Sequence, residues 1–394
     1  MKNRATIPLL VFLVVIGGTD RPASAAAGPQ LSPAEKSIAL ARQAISKHPG
    51  QAEPYNALAF ALARRARETA DPNHYVQAEE AVKKSLALAP GNLGAEKARI
   101  WILLGKHEFA KGLELARGLN QRVPDDVMVY GFLTDAHVQL GNYEEAEKAA
   151  DWMLRLRPGN IPGLTRAAYL RELFGDIEGA LELMTMAFHS TPFQEFEDRA
   201  WIMTQMAHLY LVSGRVDQAE QAARQALGLF PEYHYALATL AEVRTIQKKY
   251  AEAAELLRRR HHSAPHPENL YALAEALARA GRTAEARVAF SRFENEARGE
   301  MNQADNANRE LVLYYAGPGS KPRDALRIAR VELARRRDVY TREAYAWALF
   351  KSGRWQEARS EFEAVLAVGI QDPKLLERAA AVMRGTRPAA ALGH

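Results

Sequence analysis

The sequence predicts an all-α protein, built as an array of stacked antiparallel helix pairs. Three observations predict it. Leucine and alanine are abundant, while runs of valine, isoleucine and threonine are scarce after residue 25, which favours helix over strand. A turn that opens with glycine and reaches alanine five residues later recurs as GNYEEA (141–146), GDIEGA (175–180) and GRVDQA (214–219). Twelve residues after each of those alanines stands a proline: Pro158, Pro192 and Pro231.

Further copies extend the series. KKYAEA (248–253) leads to Pro265, with Lys248 in the glycine's place. GRTAEA (281–286) and GRWQEA (353–358) keep the turn without the later proline. GKHEFA (105–110) is a looser copy whose proline, Pro124, comes two residues late, and Ala78 and Pro90 repeat the spacing upstream. Each position has a physical reason. The glycine allows a left-handed cap at the end of the first helix. The alanine sits where two helices cross closely. The proline stops the second helix. A second small residue recurs in the first helix, at Ala98, Thr134, Ala168, Ala207, Ala241, Ala274 and Ala346. Leucines such as Leu133, Leu237, Leu240, Leu273 and Leu349 fill the helical positions around it.

This set of positions resembles the tetratricopeptide repeat. The 34-residue step from Ala146 to Ala180, and again from Ala219 to Ala253, is that family's period. The resemblance covers roughly residues 32–385 and implies a right-handed superhelix. Nine helix pairs are expected, beginning near residues 52, 91, 127, 161, 200, 234, 267, 303 and 339. A lone helix at 32–48 precedes them, and PKLLERAAAVMR (373–384) caps the end. Three stretches depart from the pattern: RRARETADPNHYV (64–76), FQEFED (193–198) and ENEARGEMNQADNANRE (294–310).

The organisation that follows is a signal peptide at 1–25, an N-terminal segment at 26–51, the array at 52–372, and a capping helix with tail at 373–394. Lys2 and Arg4 precede an apolar run, IPLLVFLVVIG, and ASA (23–25) provides small residues for cleavage after Ala25. The run is shorter than the roughly 20 residues of a membrane span. A periplasmic or secreted protein is therefore expected, with no membrane insertion after cleavage. There are no cysteines, which excludes disulfides and thiolate sites. The formal charge is +5, of which +2 falls in the first 25 residues; no clustered basic face argues for nucleic acid.

HHSAPH (261–266) has the look of a metal site. However, His261 and His262 project about 100° apart on one helix, and no further ligand completes a shell. AGPGSK (316–321) lacks the strand and spacing of a phosphate loop. The RRR runs at 258–260 and 335–337 fall at helix ends, where positive charge is favoured. No nucleophile motif occurs. No metal, cofactor or reaction is expected.

The resemblance further implies a concave face lined by first helices, which holds an extended peptide or a partner helix. Carried over, its positions are Asp135, Thr165, Tyr169, Trp201, Thr204, His208, Tyr235, Glu242, Tyr271, Glu275, Tyr340 and Trp347. They alternate with packing positions and are expected to be exposed. Trp101, Tyr210 and Trp355 match packing positions. The lysine, asparagine and arginine clamp of one family subset is missing, so the groove suits hydroxyl, amide or basic partners. The expected function is an exported scaffold that binds protein or peptide partners. Two alternatives stay open: a subunit of an envelope secretion or polysaccharide-export complex, and an enzyme with its site in 294–322. Converging His, Asp or Glu there would favour the enzyme, and an aromatic-lined groove the scaffold.

Overall fold

The computed structural model describes residues 31–385, so the signal segment lies outside the described residues. Within them are twenty α-helices and no strands. A lone helix, α1 (Pro33–Lys47), comes first. The pairs are α2 (Glu53–Thr69) with α3 (Asn73–Leu88), α4 (Leu93–Gly105) with α5 (Phe109–Arg122), and α6 (Val127–Gln139) with α7 (Tyr143–Leu156). Then come α8 (Ile161–Leu173) with α9 (Ile177–Ser190), α10 (Phe196–Val212) with α11 (Val216–Leu229), and α12 (His234–Ile246) with α13 (Tyr250–Ser263). The last are α14 (Pro267–Arg279) with α15 (Thr283–Glu300), α16 (Asn308–Tyr315) with α17 (Pro322–Arg335), and α18 (Val339–Lys351) with α19 (Trp355–Leu366). Helix α20 (Pro373–Met383) closes the array. None of these helices is long and apolar enough to cross a membrane.

The α8–α9 pair shows how the sequence builds one unit. Asn160 caps α8 by accepting from the Gly163 N–H at 2.7 Å, while its amide donates to the Met153 carbonyl at 2.9 Å. Gly175 turns the chain at φ +85°. Ala180 and Ala168 are fully buried where the two helices cross. The corresponding alanines at 146, 219, 253 and 358 are buried in the same way.

Two registers differ from the expected ones. In the second pair, His107 rather than Gly105 occupies the left-handed turn position, at φ +60°. The small crossing residue is then Gly112, which is buried, and not Ala110, which is exposed. Pro124 falls twelve residues after Gly112, so that repeat is in frame and its proline is not late. In the irregular pair, α15 runs on to Glu300 and α16 starts at Asn308, later than the expected 303. There Ser320 takes the turn at φ +49° and Ala325 the buried crossing. Trp355 is also not a packing residue: it begins α19, directly after the turn, and is 44% exposed.

The array curls until it meets itself. Arg64 and Arg67 of α2 reach the start of α10, where Arg64 pairs with Glu195 at 2.7 Å and Arg67 with Asp198 at 2.7 Å. Buried Glu197 also binds Arg67 and accepts from the Tyr233 hydroxyl at 2.6 Å. Farther along, the Arg337 N–H donates to the Gln139 carbonyl at 2.8 Å. Arg337 stands twelve residues after Ala325, in the place of the repeat-ending proline. A proline there would have no N–H to give. Gly141 and Gly175 lie at this seam. A Cβ on Gly141 would sit 2.7 Å from the Arg337 carbonyl oxygen, and one on Gly175 would sit 2.8 Å from that of Gly369. One apolar cluster joins the two sides, with Val138, Ala146, Leu170 and Leu173 against Val339, Val365, Ile370 and Leu375.

Candidate functional site: a pocket on the concave face

Because successive turns of the superhelix meet, its concave face forms a half-open pocket of about 750 Å³. That size falls within the range of roughly 300–1,000 Å³ typical of ligand sites. Five of the predicted groove residues line it: Tyr169, His208, Tyr235, Glu242 and Tyr340. Three of them, Tyr169, His208 and Glu242, directly follow the small residue of a first helix; Asp135, Glu275 and Trp347 do so as well but lie outside the pocket. The helical repeat therefore points them the same way.

The other seven predicted residues sit elsewhere. Asp135 is held by Arg166 through a two-pronged bond, at 2.6 and 2.8 Å. The Thr165 hydroxyl donates to the Ile161 carbonyl of its own helix at 3.1 Å. Thr204 (3% exposed) and Tyr271 (8%) are buried, contrary to the expected exposure. The Thr204 hydroxyl is satisfied by the Ala200 carbonyl at 2.8 Å. The Tyr271 ring packs on Phe293, and its hydroxyl donates to Glu275 at 2.9 Å. Trp201 is half-buried against the core clusters of α8–α9 and α10–α12. Trp347 stacks on Phe350, with the Lys351 ammonium over its ring. Both tryptophans are large enough to serve as packing between neighbouring pairs.

The cavity has two polar ends. At one, His208 Nε2 meets buried Glu172 at 2.9 Å. Burial opposes charge on this ring, but the Glu172 bond and the Glu172, Glu242 and Asp372 carboxylates raise its pKa above the ordinary value. Lys374 reaches across from α20 to Glu242 at 2.7 Å. Burial, aided by neighbouring Tyr340 and Glu172, raises the Tyr169 phenol well above its usual range. At the other end lie His107, His234, His266, Glu268 and Asp305, drawn from segments far apart in the chain. Asp305 Oδ1 is 3.4 Å from His107 Nδ1 and 3.9 Å from His266 Nε2. Burial, ahead of the Asp305 charge that works the other way, lowers the His107 pKa. Burial also takes His234 down to about 4.

Sequence reading missed His107, His234 and Asp305, since each is separated from the others by whole repeats. It did single out HHSAPH, whose three imidazoles part company. His262 is exposed, His261 is half-buried, and His266 caps α14 by accepting from the Glu268 N–H at 3.3 Å. Among the described residues, no group of three or more His, Asp or Glu is arranged to hold a metal. In AGPGSK, Lys321 is taken up by Glu294 at 2.5 Å and by the Tyr315 ring.

A tetratricopeptide-repeat family model matches residues 204–264. No curated protein matches the chain. Among solved structures, the APC/C hetero-tetramer Cut9–Hcn1 superposes with a TM-score of 0.52 at 15% identity, over 86% of this chain and 57% of that chain. This chain thus spans little more than half of that structure's length. TTC0263, a thermophilic TPR protein of Thermus thermophilus, is 19% identical over 54% of this chain and 99% of its own, with a TM-score of 0.40. Human IFIT1, solved as a dimer with PPP-AAAA, is 11% identical over 90% of this chain and 95% of its own, with a TM-score of 0.49. At such identities the likeness is one of fold. With the repeat match at 204–264 and twenty paired or flanking helices, the described residues have the fold of a tetratricopeptide-repeat α-solenoid.

Proposed function

We propose that this protein is an exported scaffold that holds an extended segment of a protein partner inside its closed superhelix. One observation carries the reading. Four tyrosines, Tyr75, Tyr169, Tyr235 and Tyr340, line the cavity, and none of their hydroxyls has a hydrogen-bond partner among the described residues. A peptide backbone offers donors and acceptors along its whole length, and tyrosines are common anchors for such contacts. The N-terminal signal pattern supports export, with the mature chain starting at Ala26.

A photo-crosslinking residue placed at Tyr235 in envelope extract tests the reading, with the same residue at exposed Trp355 as control. Adducts from position 235 only, mapped to one partner segment, are expected. Adducts from position 355 alone would move binding to the outer surface. Whether the adduct is one client or a fixed envelope complex decides between the two scaffold roles.

A second reading has one specific observation behind it. Asp305, in the irregular stretch, draws in His107 and His266 from distant repeats, the kind of convergence an acid–base site needs. A panel of ester, amide and glycoside substrates run on wild type and Asp305→Asn tests it. Turnover that vanishes with the substitution would establish catalysis.

A further inference from the structure

We infer that a second surface, separate from the concave-face pocket, docks an acidic segment of a protein partner. It is an open cleft of about 540 Å³ between α17 and the turn that joins α18 to α19, lined by Arg323, Leu326, Arg327, Arg330, Ser352 and Arg354. It shares no lining residue with the pocket described above. Arg323, Arg327 and Arg330 stand at i, i+4 and i+7 of α17, so the helix presents them on one face. Buried Leu326 lies among them. The Ser352 hydroxyl donates to the Pro322 carbonyl at 3.0 Å. That bond fastens the α18–α19 turn to the start of α17 and brings Arg354 into the same lining.

These guanidiniums are short of carboxylates. The RRR run on α13 is held by the protein itself: Arg258 pairs with Glu255, Arg259 with Glu232 and Arg260 with Glu268. In the cleft, Glu357 grips Arg354 with both oxygens, at 2.6 and 2.5 Å, but Asp324 approaches Arg327 only to 3.5 Å. Arg323 and Arg330 are exposed, and neither has an ion-pair partner among the described residues. A guanidinium fork fits a carboxylate two-pronged, which makes an anion the matching occupant. From Arg323 to Arg330 the helix rises about 10.5 Å, too far for a single carboxylate or phosphate to bridge. From Arg323 to Arg327 it rises about 6 Å. Acidic residues at alternate positions of an extended chain stand about 6.6 Å apart, close to that step. The lining offers no aromatic ring on which a nucleic-acid base or a sugar could stack, which favours an acidic peptide over other polyanions.

The test uses the full chain and a fluorescein-labelled peptide of alternating Glu and Ala, followed by anisotropy at low salt. A Gln–Ala peptide, a single-stranded oligonucleotide and a sulfated oligosaccharide are the comparison probes. The Glu–Ala peptide is expected to bind, the Gln–Ala peptide not to, and added salt to weaken the complex. Arg323→Gln combined with Arg330→Gln should weaken binding by about five- to tenfold, the loss of two exposed ion pairs. The melting curve should stay unchanged, since both side chains are exposed. If the double variant melts early, either single substitution carries the comparison. Arg42→Gln combined with Arg287→Gln removes the same charge from exposed, unpaired positions outside the cleft, and should change affinity by less than about twofold. Equal losses in the two double variants would reduce the effect to overall charge and overturn the inference. No binding of the Glu–Ala peptide, or binding that ignores Arg323 and Arg330, would overturn it as well. Tighter binding of the oligonucleotide or the sulfated oligosaccharide, lost with Arg323 and Arg330, would give the cleft to another polyanion and overturn the acidic-segment assignment.

Discussion

The backbone N–H of Val339 donates to the Tyr143 hydroxyl at 2.8 Å, a bond between residues 196 apart in sequence. With the neighbouring Arg337–Gln139 bond it fastens the loop before α18 to the middle of the array. Tyr143→Phe should cost about 1 kcal/mol, as loss of one partly buried bond does. Gly141→Ala should cost more. Its φ of +74° is unfavourable for alanine, and the added Cβ would press on the Arg337 carbonyl oxygen, which is backbone and cannot swing away. Small-angle scattering should show a larger radius for Gly141→Ala, with helix content by circular dichroism unchanged. An unaltered radius and melting curve would remove the seam.

The second-pair register gives a separate check. Gly112→Leu should destabilise by about 1–3 kcal/mol, because the Cβ alone would lie 2.7 Å from Leu104 Cδ2. Ala110→Leu, on the exposed face, should change stability by no more than about 0.5 kcal/mol. Ala180→Leu, at the fully buried crossing of α8 and α9, belongs with the first group. Urea titrations that reverse the order of Ala110 and Gly112 would restore the frame with Gly105 at the turn.

What could be read from the chain was whatever repeats. The pair boundaries followed from Gly141, Ala146 and Pro158 and their copies. The inward aim of Tyr169, His208 and Glu242 was implied by the family resemblance, which also named seven residues that do not line the pocket. Closure was not legible, because Gln139 and Arg337, or Gly175 and Gly369, share no local pattern. The three departures from the repeat add further contacts between distant parts of the array. The 64–76 stretch supplies Arg64 and Arg67, the 193–198 stretch supplies Glu195 and Asp198 to meet them, and 294–310 supplies Asp305 to the cavity. Insertions that spoil a one-dimensional repeat serve contacts between its successive turns.

Trp201 and Tyr235 occupy equivalent positions one repeat apart but should behave differently. Trp201→Ala should cost about 2–3 kcal/mol, somewhat less than truncation of a fully buried tryptophan, since the ring is half-buried in two clusters. Tyr235→Phe should leave the melt nearly unchanged, because its hydroxyl has no protein partner. Equal melting curves for Trp201→Ala and wild type would return Trp201 to a free inner surface.

Two histidines should set opposite pH dependences. An unfolded imidazole titrates near about 6.5, and folded His234 near 4. Between these values the unfolded chain holds the extra proton, so stability falls as pH falls from about 6.5 towards 4. His234→Gln should flatten that acid limb. His208 is raised, so its contribution is complete below the unfolded value and disappears as pH rises through the folded one. His208→Gln should therefore cost more at about pH 6 than at about pH 9. Urea midpoints measured across the range check both; parallel curves for the variants and wild type would contradict them.

Closure itself is best tested on the unaltered chain by zero-length carbodiimide cross-linking with peptide mapping. Lys374 and Glu242 belong to α20 and α12, which meet only across the interior, and their charged groups are 2.7 Å apart and accessible. Lys106 and Glu79, 2.8 Å apart on consecutive pairs, serve as the internal control, since they stay together whether or not the superhelix closes. An amide linking Lys374 to Glu242, formed within monomers and at a yield comparable to the control, is the predicted result. A strong Lys106–Glu79 link with none between Lys374 and Glu242 would mean that the array is open and the interior cavity does not exist in solution.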